Sequence, residues 1–279
     1  MIRIVTDSTA YLPAEFVRQH SLTIVPLFVH FGEAEFKEGV ELSNEEFYAR
    51  LKEAKELPTT SQPSAGDFHQ VFRKLVDAGH EIVALTISSR LSGTWNSAMA
   101  AKEMLPEAAI SVVDSLTTSV GLRLLVEAAA EAIAAGATRQ EVVDRVEEIK
   151  TQLYVLFVVD TLEYLAKGGR IGNAKAFLGT LLSVKPILIL HQGAIEPLEQ
   201  VRSKRKALTR MADLIAEHLG EKGPQARVAM THALAPEECA AFTQELVTRL
   251  GCAQPSIDGL GPVIGAHTGP GVICAGVYV

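Results

Sequence analysis

The first half of the chain alternates short β-branched apolar runs with amphipathic helical stretches, and that alternation restricts the fold more than any other feature. The runs are Ile2 to Thr6, Thr23 to Phe28, Ile82 to Ile87, Ile110 to Val113 and Leu153 to Val159. Strands separated by helices need crossover connections, so the pattern predicts a largely parallel sheet covered by helices. Helix starts are marked where Ser43 precedes Glu46, Ser64 precedes Asp67 and Thr138 precedes Glu141, each an acceptor and a carboxylate three apart ahead of apolar periodicity. The Ala-rich stretch from Ala128 to Ala135 is a further strong helix former.

After Val159 the texture changes. A short helix and a glycine-rich turn occupy Asp160 to Gly172, and Pro186 to His191 and Ala194 to Glu199 read as a β-hairpin across Gln192-Gly193. Lys204 to Leu219 and Pro236 to Leu250 are amphipathic, with strands expected at Arg227 to Thr231 and within Pro262 to Tyr278. A domain boundary is therefore placed at Val159, giving domains 1–159 and 160–279. A length of 279 residues suits two domains or one large α/β unit.

Charge and cysteine usage narrow the function classes. Lys plus Arg number 26 against 33 Asp plus Glu, a net charge of -7 that disfavours a nucleic-acid partner. No apolar run reaches the roughly 18 residues of a membrane span, and Met1 to Val5 reads as a first strand rather than a signal peptide, so a cytoplasmic protein is expected. Cys239, Cys252 and Cys274 lack Cys-x-x-Cys spacing, and the eight histidines include no His-x-x-x-His. Buried free thiols are expected, and no metal site.

Two hydroxyl-bearing turns stand at strand-to-helix junctions: Leu91-Ser92-Gly93-Thr94 after the run ending at Ile87, and Pro58-Thr59-Thr60-Ser61-Gln62-Pro63-Ser64 ahead of a helical stretch from Ala65 to Asp77. Facing each other, such turns can hold one small anion through hydroxyls and helix-start N–H groups, with no lysine. Ser92 with His267 and Asp114 follows the chain order of a hydrolase triad. The nucleophile elbow, however, needs glycine where Arg90 and Thr94 stand. Gly168 to Lys175 fails the phosphate-loop spacing, and Gly259 to Gly265 reads as a turn leading into a strand rather than a dinucleotide fingerprint. His267, set among Gly265, Gly269 and Gly271, is either a capped turn histidine or a ligand contact. Arg202, Lys204, Arg205 and Lys206 are either a solvated face or a surface for an acidic partner or phosphate.

Seven segments in order resemble the DegV family of fatty-acid-binding proteins over essentially the whole chain. They are Val5-Thr6-Asp7-Ser8-Thr9, Thr60 to Ser64, Ser88 to Thr94, Val113-Asp114-Ser115, Leu162 to Gly172, Val184-Lys185-Pro186 and Gly265 to Gly271. The resemblance implies a two-domain α/β fold, with a Rossmann-like N-terminal parallel sheet flanked by helices and a smaller C-terminal α/β domain. It implies a long-chain fatty acid in a tunnel, its carboxylate held by Thr60, Ser92, His267 and Arg202 with Ser61, Gly93 and Thr94 as the supporting loop. It further implies a non-catalytic carrier without cofactor, which presents the carboxylate to a separate ATP-dependent fatty-acid kinase, the acyl phosphate going on to phospholipid synthesis. Arg170 is then a candidate contact for the kinase or the transferring phosphoryl group. The rival readings are a small-molecule phosphotransferase using the same anion seat and a regulatory lipid-sensing module.

Overall fold

The computed structural model describes residues 1–180 and 184–279. The chain begins β1 (Ile2–Asp7), α1 (Ala14–Gln19), β2 (Thr23–Val25), β3 (Phe28–Phe31), β4 (Ala34–Lys37), α2 (Asn44–Glu53) and β5 (Thr59–Ser61). It continues α3 (Ala65–Asp77), β6 (Glu81–Thr86), α4 (Thr94–Glu103), β7 (Ile110–Asp114), α5 (Val120–Ala134) and α6 (Arg139–Gln152). Strands β2, β1, β6 and β7 form a parallel sheet in that order, as the alternation predicts.

Side chains alternate across this sheet with period two. Val5, Ile82 and Ala84 pack with Phe68 and Phe72 of α3 and Ala98 and Ala101 of α4. Ile4, Val83 and Leu85 face the other way, into the cluster shared with Leu122 and Leu125 of α5 and Val142 and Val146 of α6. Both faces are thus covered, which is why these strands read as unbroken apolar runs. All three expected capping boxes are present, at Ser43, Ser64 and Thr138.

The expected strand from Thr23 to Phe28 is two strands. Pro26 has no N–H to give a ladder, so β2 stops at Val25. Strand β3 leaves the parallel sheet to pair antiparallel with β4 and β5 in a separate three-stranded sheet.

The remainder runs β8 (Tyr154–Val158), α7 (Glu163–Lys167), β9 (Lys185–His191), β10 (Ala194–Val201), α8 (Lys204–Leu219), β11 (Arg227–His232), α9 (Pro236–Leu250), β12 (Ile257–Gly259), α10 (Pro262–Thr268) and β13 (Ile273–Tyr278). These six strands form a mixed sheet in the order β10-β9-β8-β13-β11-β12, antiparallel except for the β11–β12 pair. Strand β8 lies ahead of Val159 yet pairs with β9 and β13 of this sheet rather than with the parallel one. Leu156 and Val158 face α8 and α9, whereas Val155 and Phe157 face the N-terminal unit. Burial on both faces made this run look like one more strand of the parallel sheet.

The hairpin across Gln192-Gly193 forms as expected, with left-handed φ of 46° and 82° at the two turn residues. Its tip docks on the other sheet, where Ser88 Oγ donates to the Gly193 carbonyl at 2.8 Å. A second correction concerns the segment after Gly261. Residues Pro262–Thr268 form helix α10 rather than a strand, with Pro262 in the first turn, where its missing N–H costs nothing. Gly265 lets this helix approach α2, since a Cβ there would stand 2.7 Å from Tyr48 Oη.

Candidate functional site

Strand β5 carries Thr60 in register with Val29 of β3. The loop from β6 to α4 carries Ser92 and is pinned at its start, where the Ile87 N–H donates to buried Asp7 at 2.6 Å. The two hydroxyl-bearing loops meet at Gly93, where a Cβ would lie 2.9 Å from Gln62 Nε2. A larger residue would push the loops apart, so glycine here serves the close approach.

Both loops open on one cavity, whose space together with its open mouth is about 820 Å³. Thr60, Ser61, Gln62, Ser92, Arg170 and His267 contribute polar groups to its lining. Leu27, Val155, Phe157, Leu190, Ile195 and Val272 are among its apolar walls. The walls come from the six-stranded sheet, from β5 and from the loops that follow β6 and β7, so the cavity lies between the two units rather than inside either.

His267 stands in the last turn of α10, not in an open turn, and only 9% of it is exposed. Its Nε2 shares a 2.7 Å hydrogen bond with Thr60 Oγ1, while Nδ1 has no partner among the described residues and packs against Gly168. Burial, and secondarily the charge of Arg170, push the imidazole down to about 4, so it is neutral at pH 7. Ser92 Oγ and Thr94 Oγ1 lie 2.9 Å apart, and Ser61 Oγ pairs with His30 Nε2 at 2.9 Å.

Helix starts contribute less than expected. The start of α3 is closed by its own capping box, with Asp67 adding negative charge, whereas α4 begins at Gly93 without a side-chain cap. The triad order is not a triad. His267 bonds Thr60 rather than Ser92, and Asp114 accepts from the Ser89 and Leu116 N–H groups.

The two arginines separate. Arg170 lines the cavity and ties the glycine-rich turn to the Ser92 loop, its Nε donating to the Leu91 carbonyl at 3.2 Å and Nη1 to the Gly168 carbonyl at 2.8 Å. Arg202 is exposed beyond the end of β10 and is not among the residues that line the cavity. Nearby Lys204 instead pairs with Glu238 at 2.7 Å.

Sequence reasoning passed over two lining residues, Thr118 and Ser119. The signal was present: Ser115-Leu116-Thr117-Thr118-Ser119 is a third hydroxyl-rich stretch between a strand and a helix. Among the described residues no cluster of three His, Cys, Asp or Glu could hold a metal ion, and no helix is long and apolar enough to cross a membrane. The three cysteines are free and buried.

A family model described as "Uncharacterised protein, DegV family" matches residues 1–279. The chain belongs to the DegV family. Relatives include a DegV domain-containing protein of Halalkalibacterium halodurans, 38% identical over 100% of this chain and 98% of that protein. Protein DegV of Bacillus subtilis is 37% identical over 98% of this chain and 96% of its own length. A fatty-acid-binding DegV family protein from Thermus thermophilus superposes with a TM-score of 0.94 at 34% identity, covering 99% of both chains. A stearic-acid-binding protein from Eubacterium ventriosum gives 0.93 at 32% identity, over 100% of this chain and 98% of the other.

Proposed function

We propose that the chain binds a long-chain fatty acid in the cavity between its two units, with the carboxylate at the Thr60, Ser92 and His267 end. One observation carries this reading: hydroxyls from two loops and a neutral imidazole converge on one cavity whose remaining lining is mostly hydrocarbon. Each methylene taken from water contributes roughly 0.8 kcal/mol, so a chain of about fifteen supplies on the order of 12 kcal/mol before association costs. The head is the harder part, because an ionised carboxylate leaving water needs several donors. The Thr60 and Ser92 hydroxyls and the N–H groups at the uncapped start of α4 can provide them.

On this reading the protein breaks no bond. It is a cytoplasmic carrier that holds the carboxylate as a positioned nucleophile for a separate ATP-dependent kinase, which forms the acyl phosphate that feeds phospholipid synthesis. Neutral hydroxyl donors orient the carboxylate without quenching it in a bidentate ion pair. Arg170, placed where it touches both the Ser92 loop and the cavity, is the residue best situated to meet an incoming phosphoryl group.

Native mass spectrometry of freshly purified protein tests the ligand, with a co-purified C16 to C18 acid expected. Protein that arrives empty and fails to take up palmitate or oleate contradicts the assignment. Incubation with ATP and fatty acid in the absence of any partner tests the carrier role, because turnover there would favour a phosphotransferase.

A further inference from the structure

The cavity holds two hydroxyls that a plain fatty acid has no second polar group to meet. Ser119 is 5% exposed, and the Ser119 Oγ and Thr118 Oγ1 atoms are both buried without a hydrogen-bond partner among the described residues. Both residues line the cavity. By contrast Thr60 is bonded to His267, and Ser92 to Thr94.

Their surroundings place them along the hydrocarbon wall. Ser119 is the N-cap of the 15-residue helix α5 and makes no capping bond of its own, its φ being 51°. The next residue, Val120, sits on the six-stranded sheet, its Cγ2 being 3.0 Å from where a Cβ on Gly276 would stand. Gly276 is paired with Val155, and Cys274 with Phe157. Val155, Phe157 and Cys274 all line the cavity. The two residues therefore stand over the sheet that forms an apolar wall, at a helix start whose partial positive charge favours an acceptor.

An unsatisfied buried hydroxyl is destabilising, and two at adjacent positions in the lining of one cavity call for an explanation. We propose that Thr118 and Ser119 form a second polar station that accepts a hydroxylated long acyl chain, hydrogen-bonding the chain's hydroxyl while the carboxylate occupies the Thr60 end. This rests on the fatty-acid reading and adds the substrate class to it. The chain's hydroxyl accepts from one side chain and donates to the other, so all three groups are satisfied at once.

The test uses delipidated full-length protein and compares stearate with hydroxystearates whose hydroxyl is stepped from mid-chain towards the methyl end, by calorimetry. At least one positional isomer is expected to bind about tenfold more tightly than stearate, the equivalent of about 1.4 kcal/mol. In Thr118→Val/Ser119→Gly the advantage, read as the ratio of hydroxystearate to stearate affinity in the same variant, should disappear; glycine accepts the positive φ, and circular dichroism checks that the variant is folded. Ser119→Ala with Thr118 intact should halve the effect on a logarithmic scale. Stearate binding with no isomer preferred, or a preference that survives the double variant, overturns the second station alone. Failure of every acyl chain to bind overturns the fatty-acid reading with it.

Discussion

Thr60 and His267 lie 207 positions apart in the chain and share a 2.7 Å hydrogen bond in the lining of a largely apolar cavity. One comes from the small three-stranded sheet and the other from the last turn of α10, so the bond forms only when both ends of the chain have folded. Thr60→Val keeps the shape, removes the hydroxyl and leaves the imidazole Nε2 alone. Unfolding in urea should show a loss of about 1–3 kcal/mol. Fatty-acid affinity should fall about tenfold if the same hydroxyl meets the carboxylate. Unchanged affinity in a folded variant would take Thr60 out of the seat.

Two adjacent glycines offer a controlled comparison. A Cβ on Gly168 would lie 2.2 Å from His267 Nδ1 and 3.0 Å from the Tyr164 carbonyl, whereas Gly169 has a φ of 71° and nothing within 4 Å. Gly168→Ala must move the imidazole, so stability should fall by about 1–3 kcal/mol and acyl binding should weaken with it. Gly169→Ala meets only backbone strain of about 1 kcal/mol and should leave binding intact. Equal losses of binding in the two variants would mean that the imidazole position is immaterial.

His267 also sets a pH dependence. Burial lowers its pKa from 6.5 to about 4, with Arg170 adding to the shift. A base that ionises less readily when folded contributes stability that is full above pH 6.5 and lost as the pH falls towards 4. Unfolding free energies of His267→Gln and wild type, measured across that interval, should therefore converge on the acid side. A constant difference would show that the imidazole titrates normally in the folded chain.

How much of this was readable in the chain depended on how local each feature is. The capping boxes at Ser43, Ser64 and Thr138 and the Gln192-Gly193 hairpin were legible because a few neighbouring residues determine them. The Ser92 and Thr60 loops were legible as a chemical pattern, and the resemblance to relatives supplied their pairing with His267. Strand β8 was misassigned because burial on both faces gives the same apolar run in either sheet. Helix α10 was missed because Gly265 and the glycines after it disguise a helical turn that contacts with α2 make possible. Thr118 and Ser119 were overlooked because a hydroxyl-rich loop is ordinarily solvated, and only the three-dimensional placement makes these hydroxyls dry.

Glu38 was equally invisible, since a carboxylate just past a short hairpin reads as a surface charge. It is 3% exposed, and its Oε1 accepts from the Val263 N–H at 2.7 Å and from the Tyr11 hydroxyl at 3.1 Å. Its Oε2 accepts from Ser8 Oγ at 2.5 Å. The carboxylate thus holds the start of α10, the helix that ends in His267. Burial raises its pKa from 4.5 to about 7, opposed by the bonds from Ser8, Val263 and Tyr11, and the charge of Asp7 adds to the rise. Asp7, itself buried, is pushed up from 3.8 to about 6, so the two acids act in the same direction. An acid that holds its proton more tightly when folded contributes stability that is full below the unfolded pKa and is lost as the pH rises through the folded one. Wild type should therefore lose about 3 kcal/mol of Glu38-linked stability between pH 4.5 and pH 7, by the usual conversion of pKa differences to free energy. Glu38→Gln keeps an acceptor for Val263 without a titrating proton and should remove that slope, leaving the part due to Asp7. Glu38→Ala leaves the Val263 N–H bare and should weaken acyl binding as well, because α10 then loses the contact that sets the position of His267. A Glu38→Gln profile that parallels wild type from pH 4.5 to 7 would show that Glu38 ionises in the folded protein as freely as it does in water.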